Sequence, residues 1–418
     1  MSPATVVTGI GVTAPNGLGT RQYWDATRTG HSAIGPATRF DPTGYPAQLA
    51  GEITDFTAED HLPGPLLAQT DRVTRLALLA ADWALADAGI TPSTVDAYDM
   101  GVVTASSSGG FEFGQNELRA LWSKGSRHVS AYQAFAWFYA VNTGQISIRH
   151  GMKGPSGVVV SDQAGGLDAL AQARRHIRKG TPLVLSGGLD ASLCPWGWVA
   201  QLASERLSTS RDPHRAYLPF DAAAHGHVPG EGGALLLLED ADAARERGAH
   251  VYGEITGYGA TFDPAPTSGR PSTLRRAIEL ALDDARMAPA DIDVVFADAA
   301  GLPELDRIET RAIADVFGAH AVPVTAPKTM TGRLNSGAAP LDVAAALLAL
   351  GDGLIPPTVN VTPDPSHPID LVTEARPAPL RTALILARGH GGFNSALVVR
   401  AADPGQRDEP ADPREGRT

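Results

Sequence analysis

The stretch Val158–Asp168, VVVSDQAGGLD, joins an apolar run, a tight turn and a helix that opens on small residues. Many enzymes mount a nucleophile on such a turn, because it lifts one side chain clear of a sheet. The residue at the apex is Gln163, whose amide donates and accepts hydrogen bonds but takes up no acyl group. Ser161, in the same turn, has no histidine base in its motif and is set aside as a nucleophile. Cys194 is the only cysteine and follows an apolar strand in ASLCPWGWVA, so it reads as a small core residue. His225 and His227 stand at i and i+2 in a loop without a third ligand, so no metal site is expected, and no cofactor either.

These residues need elements to position them. TDRVTRLALLAADWALADAGI has Thr70 or Asp71 as its cap, apolar residues Leu76, Leu79, Ala80, Trp83 and Ala86 at helical spacing, and Gly89 at its end. DMGVVTASSS, PLVLSGGLDASL and GGALLLLED read as buried strands. The pattern then restarts, with HVYGEITGYGAT as a strand and STLRRAIELALDDARM as a helix presenting Leu274, Ile278, Ala281, Leu282 and Ala285. DIDVVFADAAG is a further strand, and TALILARGHGGFNSALVVR a closing hairpin. Strands alternating with helices predict an α/β fold with buried sheets. Residues 163–180 and 335–353 each place a small-residue turn before an Ala/Leu helix with a Leu-Asp pair, which hints at duplication. Two halves are expected, 1–245 and 246–402, with 403–418 a disordered tail of eight charged residues and three prolines.

Composition narrows the partners. The 34 basic and 46 acidic residues give a net charge of −12 without a basic run, which argues against nucleic acid. One cysteine excludes an internal disulfide and fits a cytoplasmic setting. The N-terminus lacks a basic segment before an apolar one, so no signal peptide is expected. The longest apolar stretch, AAPLDVAAALLALGDGLIPP, is interrupted by Asp342, Gly351, Asp352 and Pro356, so no membrane span is expected.

The segments VVTGIGVTAPNG, PFDAAAHGHVPGEGGALLLLE, APKTMTG and GHGGFNSALVV resemble, in the same order, those of the β-ketoacyl synthases, across nearly all of residues 4–400. SDQAGGLDAL, DAAGLPELDRIE and KTMTGRLNSGAAPLD carry a closer resemblance to the chain length factors, or ketosynthase β subunits, of bacterial aromatic type II polyketide synthases. The resemblance implies a thiolase-like, pseudo-duplicated αβαβα fold. It also implies a Cys nucleophile and two His in condensing members. Here the Cys position is Gln163, and the two His positions fall on Ala300 and Arg333. Condensation needs a thiolate to hold the acyl chain and neutral groups to support decarboxylation and the enolate. Gln163 takes up no acyl chain, Ala300 has no polar side-chain atom and Arg333 stays protonated, so condensation by this chain alone is not expected. Lys328 and Glu309 match retained family residues, and a Lys328–Glu309 pair joining two loops is the expected structural role. Gln163 has two open readings: a donor to a malonyl thioester carbonyl during decarboxylation to an acetyl primer, or a tie from its loop to backbone.

In SSSGGFEFGQNELRALWSKG (106–125), Phe111, Gly114, Leu118 and Leu121–Trp122 fall on one helical face. Ordinary core packing would explain that face. By the resemblance, the segment lies at a heterodimer contact and lines a tunnel for the growing chain, with Phe111, Gly114 and Leu118 as gates. Small residues at 114 and 118 imply a roomy tunnel and a decaketide-class product rather than an octaketide. The implied partners are a catalytic ketosynthase α subunit, an acyl carrier protein and the growing polyketide chain. The carrier protein, acidic in this family, is expected to dock mainly on the α subunit, given the charge here. Two competitors stay open: an autonomous malonyl decarboxylase or thiolase-like acyltransferase, and a purely structural scaffold.

Overall fold

The computed structural model describes residues 4–402; the tail at 403–418 lies outside the described residues. The first half runs β1 (Thr5–Ala14), α1 (Arg72–Asp87), β2 (Met100–Ala105), α2 (Phe111–Lys124), α3 (Val141–His150), β3 (Ser156–Val159), α4 (Gly165–Arg178), β4 (Leu183–Asp190), α5 (Pro195–Leu202) and β5 (Gly232–Asp240). The second runs β6 (Gly253–Phe262), α6 (Leu274–Ala285), β7 (Val294–Phe296), α7 (Pro303–Phe317), β8 (Pro323–Thr325), α8 (Ala338–Asp352), β9 (Thr382–Arg388) and β10 (Phe393–Ala401).

The first five strands lie in the order β1-β5-β4-β2-β3, and the second five in the order β6-β10-β9-β7-β8. In each set the first two pairings are antiparallel and the last two parallel. Strand for strand, the chain repeats one topology. The two sets join edge to edge where Val6 and Val7 of β1 pair with Glu254 and Gly253 of β6. Helices α4 and α8 lie between the two sets of strands, α1 and α3 cover the outer face of the first, and α6 and α7 that of the second. The result is five alternating layers of helix and sheet.

Side-chain patterning explains which helix goes where. Helix α8 is apolar on nearly every face and is buried throughout except Leu348, Gly351 and Asp352, which suits a middle layer covered on both sides. Helix α6 buries Leu274, Ile278, Ala281 and Leu282 but exposes its arginines, which suits an outer layer. In α1 the cap is Asp71, and the buried stripe ends on Ala84 and Leu85, while Ala86 is exposed. The 3.6-residue period brings position 84, not 86, back over Leu76 and Ala80. Among the described residues, no helix is long and apolar enough to cross a membrane.

The close approach of α4 and α8 requires a glycine. A Cβ on Gly166 would stand 2.2 Å from Pro340 Cδ and 2.7 Å from the Ser336 carbonyl oxygen. Gly166→Ala must therefore push two central helices apart. Overpacking of this kind costs about 3 kcal/mol. The thermal unfolding midpoint of the purified protein should fall accordingly, and an unchanged midpoint would contradict this packing.

Candidate functional site

A cavity of about 820 Å³ opens where the two halves meet, and Gln163, Ala300 and Arg333 all line it. The fold therefore gathers three positions that are far apart in the chain. The cavity also takes in Ala200 and Gln201 from α5, together with His227, Arg206 and the Gly389–Asn394 turn.

Gln163 sits on a 3₁₀ turn, Asp162–Ala164, that runs directly into α4. Asp162 takes a left-handed backbone conformation with φ of 53°. That costs an aspartate on the order of 1 kcal/mol. Contacts on both sides hold the turn: His390 N–H donates to Asp162 Oδ2 (2.7 Å), and Ser336 Oγ donates to the Asp162 carbonyl (3.2 Å). With its amide oriented so that both groups are satisfied, Gln163 pairs with the Asn335 backbone, its nitrogen donating to the carbonyl (3.1 Å) and its oxygen accepting from the N–H (3.2 Å). One N–H of the amide is left over. Ser161 Oγ donates to Asp168 (2.5 Å), so that hydroxyl has a structural partner as well.

Arg333 is buried, and both terminal nitrogens of its guanidinium are hydrogen-bonded. Nη2 donates to both Asp298 oxygens (3.0 and 3.1 Å), and Nη1 donates to the carbonyls of Asp298 (2.7 Å) and Ala299 (3.2 Å). Burial works against the Asp298 carboxylate, but Arg333, Lys328 and Arg388 together hold it below the usual range. Burial also opposes the Arg333 charge, and Asp298 more than restores it, raising its pKa. Arg333 is thus a charged strut carrying the loop that contains Ala300. Tyr217 Oη donates to the Ala299 carbonyl (2.7 Å) and braces the same loop.

Lys328 and Glu309 do not pair with each other, contrary to the expectation from sequence. Lys328 Nζ lies 2.6 Å from Asp342 Oδ2 in α8 and also donates to the Ala297 carbonyl. Glu309, in α7, accepts from the backbone N–H groups of Asp298 (2.7 Å) and Ala299 (2.8 Å). Burial, and then the nearby Asp298 carboxylate, push the Glu309 carboxyl upward. Lys328 follows a short strand that ends beside the first turns of α8, so Asp342 is its nearest carboxylate, while Glu309 faces loop backbone. Both residues support the loop behind the cavity.

Cys194 is buried and caps α5, its sulfur accepting from Gly197 N–H (3.5 Å). Burial pushes its thiol up to about 11. His225 bonds Ser208 Oγ and the Ala223 carbonyl through its two ring nitrogens. His227 lines the cavity with a buried Nδ1 that has no partner. Burial, reinforced by the Arg333 charge, holds its pKa down at about 3, so the ring is neutral.

Phe111, Gly114 and Leu118 stand on α2, away from the cavity lining. Core packing does not explain that face: only Gly114 is buried, whereas Leu118 is 38% and Trp122 84% exposed. Nor is the space at Gly114 empty. The Trp196 indole stacks on Phe111 (4.9 Å between centroids, 11° between planes), and a Cβ on Gly114 would lie 3.0 Å from that indole. Gly114 is the seat for Trp196, which corrects the idea that its missing side chain leaves an open channel. Trp196 was overlooked because CPWGWVA draws attention to its cysteine. Asp298 was overlooked too, although a buried arginine at position 333 demands a counter-charge. Helix α5 connects the two regions, with Trp196 on α2 at one end and Ala200 and Gln201 on the cavity at the other.

Residues 3–244 match the β-ketoacyl synthase N-terminal domain, and residues 252–362 the C-terminal domain. The chain is 62% identical over 404 residues (96% of this chain, 99% of the relative) to a Streptomyces coelicolor protein named for the actinorhodin polyketide β-ketoacyl synthase 2. It is 62% identical over 400 residues (94% and 98%) to the tetracenomycin polyketide synthase ketoacyl synthase beta subunit of Streptomyces glaucescens. Among solved structures, the ishigamide ketosynthase/chain length factor superposes with a TM-score of 0.88 at 28% identity, covering 96% of this chain and all of that one. A type II polyketide synthase carrier protein in complex with its ketosynthase bound to the hexaketide gives a TM-score of 0.86 at 26% identity, with the same coverage.

His227 gives the site a pH signature. A histidine held neutral in the folded state binds fewer protons there than in the unfolded chain between pH 6.5 and 3. Its contribution to stability is therefore present above pH 6.5 and lost as the pH falls. The expected slope approaches about 1.4 kcal/mol per pH unit below pH 6. Denaturant midpoints measured from pH 7 to 5 should fall less steeply in His227→Gln. Equal slopes in the two proteins would contradict a buried neutral ring.

Proposed function

The chain belongs to the β-ketoacyl synthase family, and from that premise we propose that it is the non-condensing subunit of a type II polyketide ketosynthase heterodimer. The observation that carries this reading is the content of the cavity. An amide, a methyl and a salt-bridged guanidinium face it at the three positions where condensing members, by the resemblance, use a thiol and two imidazoles. No group among them forms an acyl thioester, and Arg333 is committed to Asp298. Condensation of malonyl units on the carrier protein then belongs to the α subunit, and this chain completes the tunnel and sets product length. The setting is cytoplasmic.

Two surfaces support the partner. Leu118, Trp122, Trp137, Phe138, Tyr139 and Trp196 are large apolar side chains left at least 38% exposed around α2. Clusters of this kind mark protein–protein contacts. Strand β3 forms an edge of the sheet, hydrogen-bonded on one side by β2 and open on the other, with Val160 half exposed at its end. An open edge strand and an exposed aromatic face are each suited to contact with another chain.

Chain length is assigned to Phe111, Gly114 and Leu118, together with Trp196. The modest size of Leu118 favours a decaketide-class product over an octaketide, whereas Gly114, filled by Trp196, adds no room. Leu118→Phe adds aromatic volume on the half-exposed face of α2. In the reconstituted synthase it should shorten the main product, read by mass spectrometry. Unchanged product length would remove α2 from the tunnel.

Gln163 is assigned chiefly to tying its turn to Asn335, because that pairing uses its oxygen and one N–H. Its remaining N–H can assist malonyl decarboxylation only weakly. Gln163→Ala in the heterodimer should lower acetyl carrier protein formation by less than about tenfold, whereas loss of an oxyanion donor costs on the order of 10²–10³. A loss in that larger range would make the amide a catalytic donor. Turnover by this chain without a partner would favour an autonomous decarboxylase.

A further inference from the structure

We propose that Asp71 holds α2 in place against the body of the protein, and that product length depends on it. The proposal rests on the tunnel reading above. Asp71 is buried and caps α1, its Oδ1 accepting from Val73 N–H (3.0 Å). Its other oxygen, Oδ2, accepts from Phe113 N–H (2.7 Å) in the first turn of α2. One carboxylate thus closes the N-terminal ends of two helices, satisfying donors that each helix leaves open. It also places a negative charge where both helix dipoles favour one. Helix α2 has no side-chain cap of its own, because its N-cap residue is Gly110. The cap comes from a residue about forty positions earlier in the chain.

The surrounding contacts tighten this arrangement. A Cβ on Gly110 would lie 2.9 Å from Asp71 Cβ and 2.1 Å from the Ala136 carbonyl oxygen. Gly110 N–H donates to the Trp137 carbonyl (3.0 Å). The start of α2 is therefore gripped between the start of α1 and the Ala136–Trp137 segment. On the outside, Arg39 pairs with Glu112 (2.6 Å), a partly exposed contact that adds little. Beyond this grip Gly114 is the only buried residue of the helix, and two side-chain contacts tie its middle to neighbouring segments: Gln115 Oε1 accepts from Trp196 N–H (2.7 Å) and Glu117 Oε2 from Ser130 N–H (2.6 Å).

The consequence is a lever. Leu118 lies seven residues beyond Phe111, about 10 Å along the axis at 1.5 Å per residue. A tilt of about 10° at the gripped end would move Leu118 by about 2 Å. A wall that stops a chain by exclusion is sensitive to shifts of that size. Asp71 touches no substrate in this scheme; it is a positioning residue for the side chains that do.

The test uses the purified heterodimer with carrier protein and malonyl supply. Asp71→Ser keeps the cap on α1, since serine serves well at that position, but is too short to bond Phe113 as well. Asp71→Asn keeps the shape but presents an NH₂ to one of the two N–H donors. Leu118→Phe is run in parallel. The expected result for both Asp71 variants is a product distribution spread over neighbouring chain lengths, with the fraction of off-length product rising several-fold and total malonyl consumption largely kept. A helix cap that served stability alone would lower total product without altering its length distribution. If Leu118→Phe changes length while both Asp71 variants keep a single wild-type length, the positioning role is overturned and the tunnel stands. If none of the three changes length, the tunnel reading fails and takes this proposal with it.

Discussion

A guanidinium buried without a counter-charge is among the most costly groups a protein can carry, and this chain buries Arg333 at the centre of its cavity wall. The bidentate pair with Asp298 makes that tolerable, and much of the site follows from it. Asp298 lies two residues after β7, so the pair fixes the loop through Ala299 and Ala300. Glu309 then grips the backbone of that loop from behind, and Tyr217 braces it from the side. Lys328 and Asp342 form a second buried pair that ties the turn before Arg333 to the central helix. The charges in the cavity wall are therefore arranged for support. Arg333 with Asp298, and Lys328 with Asp342, are each neutralised as a pair.

The same logic applies to the pedestal. A left-handed Asp162, a glycine at 166 against Pro340, and a turn held by Ser336 and His390 together form an apparatus for presenting one side chain to the cavity. Gln163, set on that apparatus, turns to the Asn335 backbone instead. Rigid presentation keeps its value without a nucleophile, because the turn also joins α4 to the segment that opens α8. The central layer depends on that junction.

Much of this was legible in the sequence, for identifiable reasons. Strands buried on both faces are continuous apolar runs, and the two glycine-to-helix junctions at 163–180 and 335–353 announced a repeat that the strand order bears out. Gln163, Ala300 and Arg333 could be placed because motifs with fixed order surround them. The partners of Lys328 and Glu309 could not. Ion pairing depends on which carboxylate a turn brings within a few ångströms, and that is set by the approach of α8, which no local pattern records. The role of Gly114 was misread for a related reason. A missing side chain looks like space in a sequence, whereas in the fold a distant indole takes it up.

Helix α2 departs from the rest of the molecule in how it is stabilised. Most helices here are fixed by an apolar stripe pressed on a sheet, which is how short helices usually gain their stability. Helix α2 instead leaves Leu118 and Trp122 outside and is held by the Asp71 cap, the Trp196 stack on Phe111 and side-chain bonds from Gln115 and Glu117. In the heterodimer proposed above, the second chain covers this aromatic face and supplies the packing it lacks here. The fold is therefore complete at the centre, where chemistry has been given up, and unfinished at α2. On the tunnel reading proposed above, the function of this subunit lies at that surface, because a wall shared by two chains is tuned from this side without touching the catalytic groups of the other.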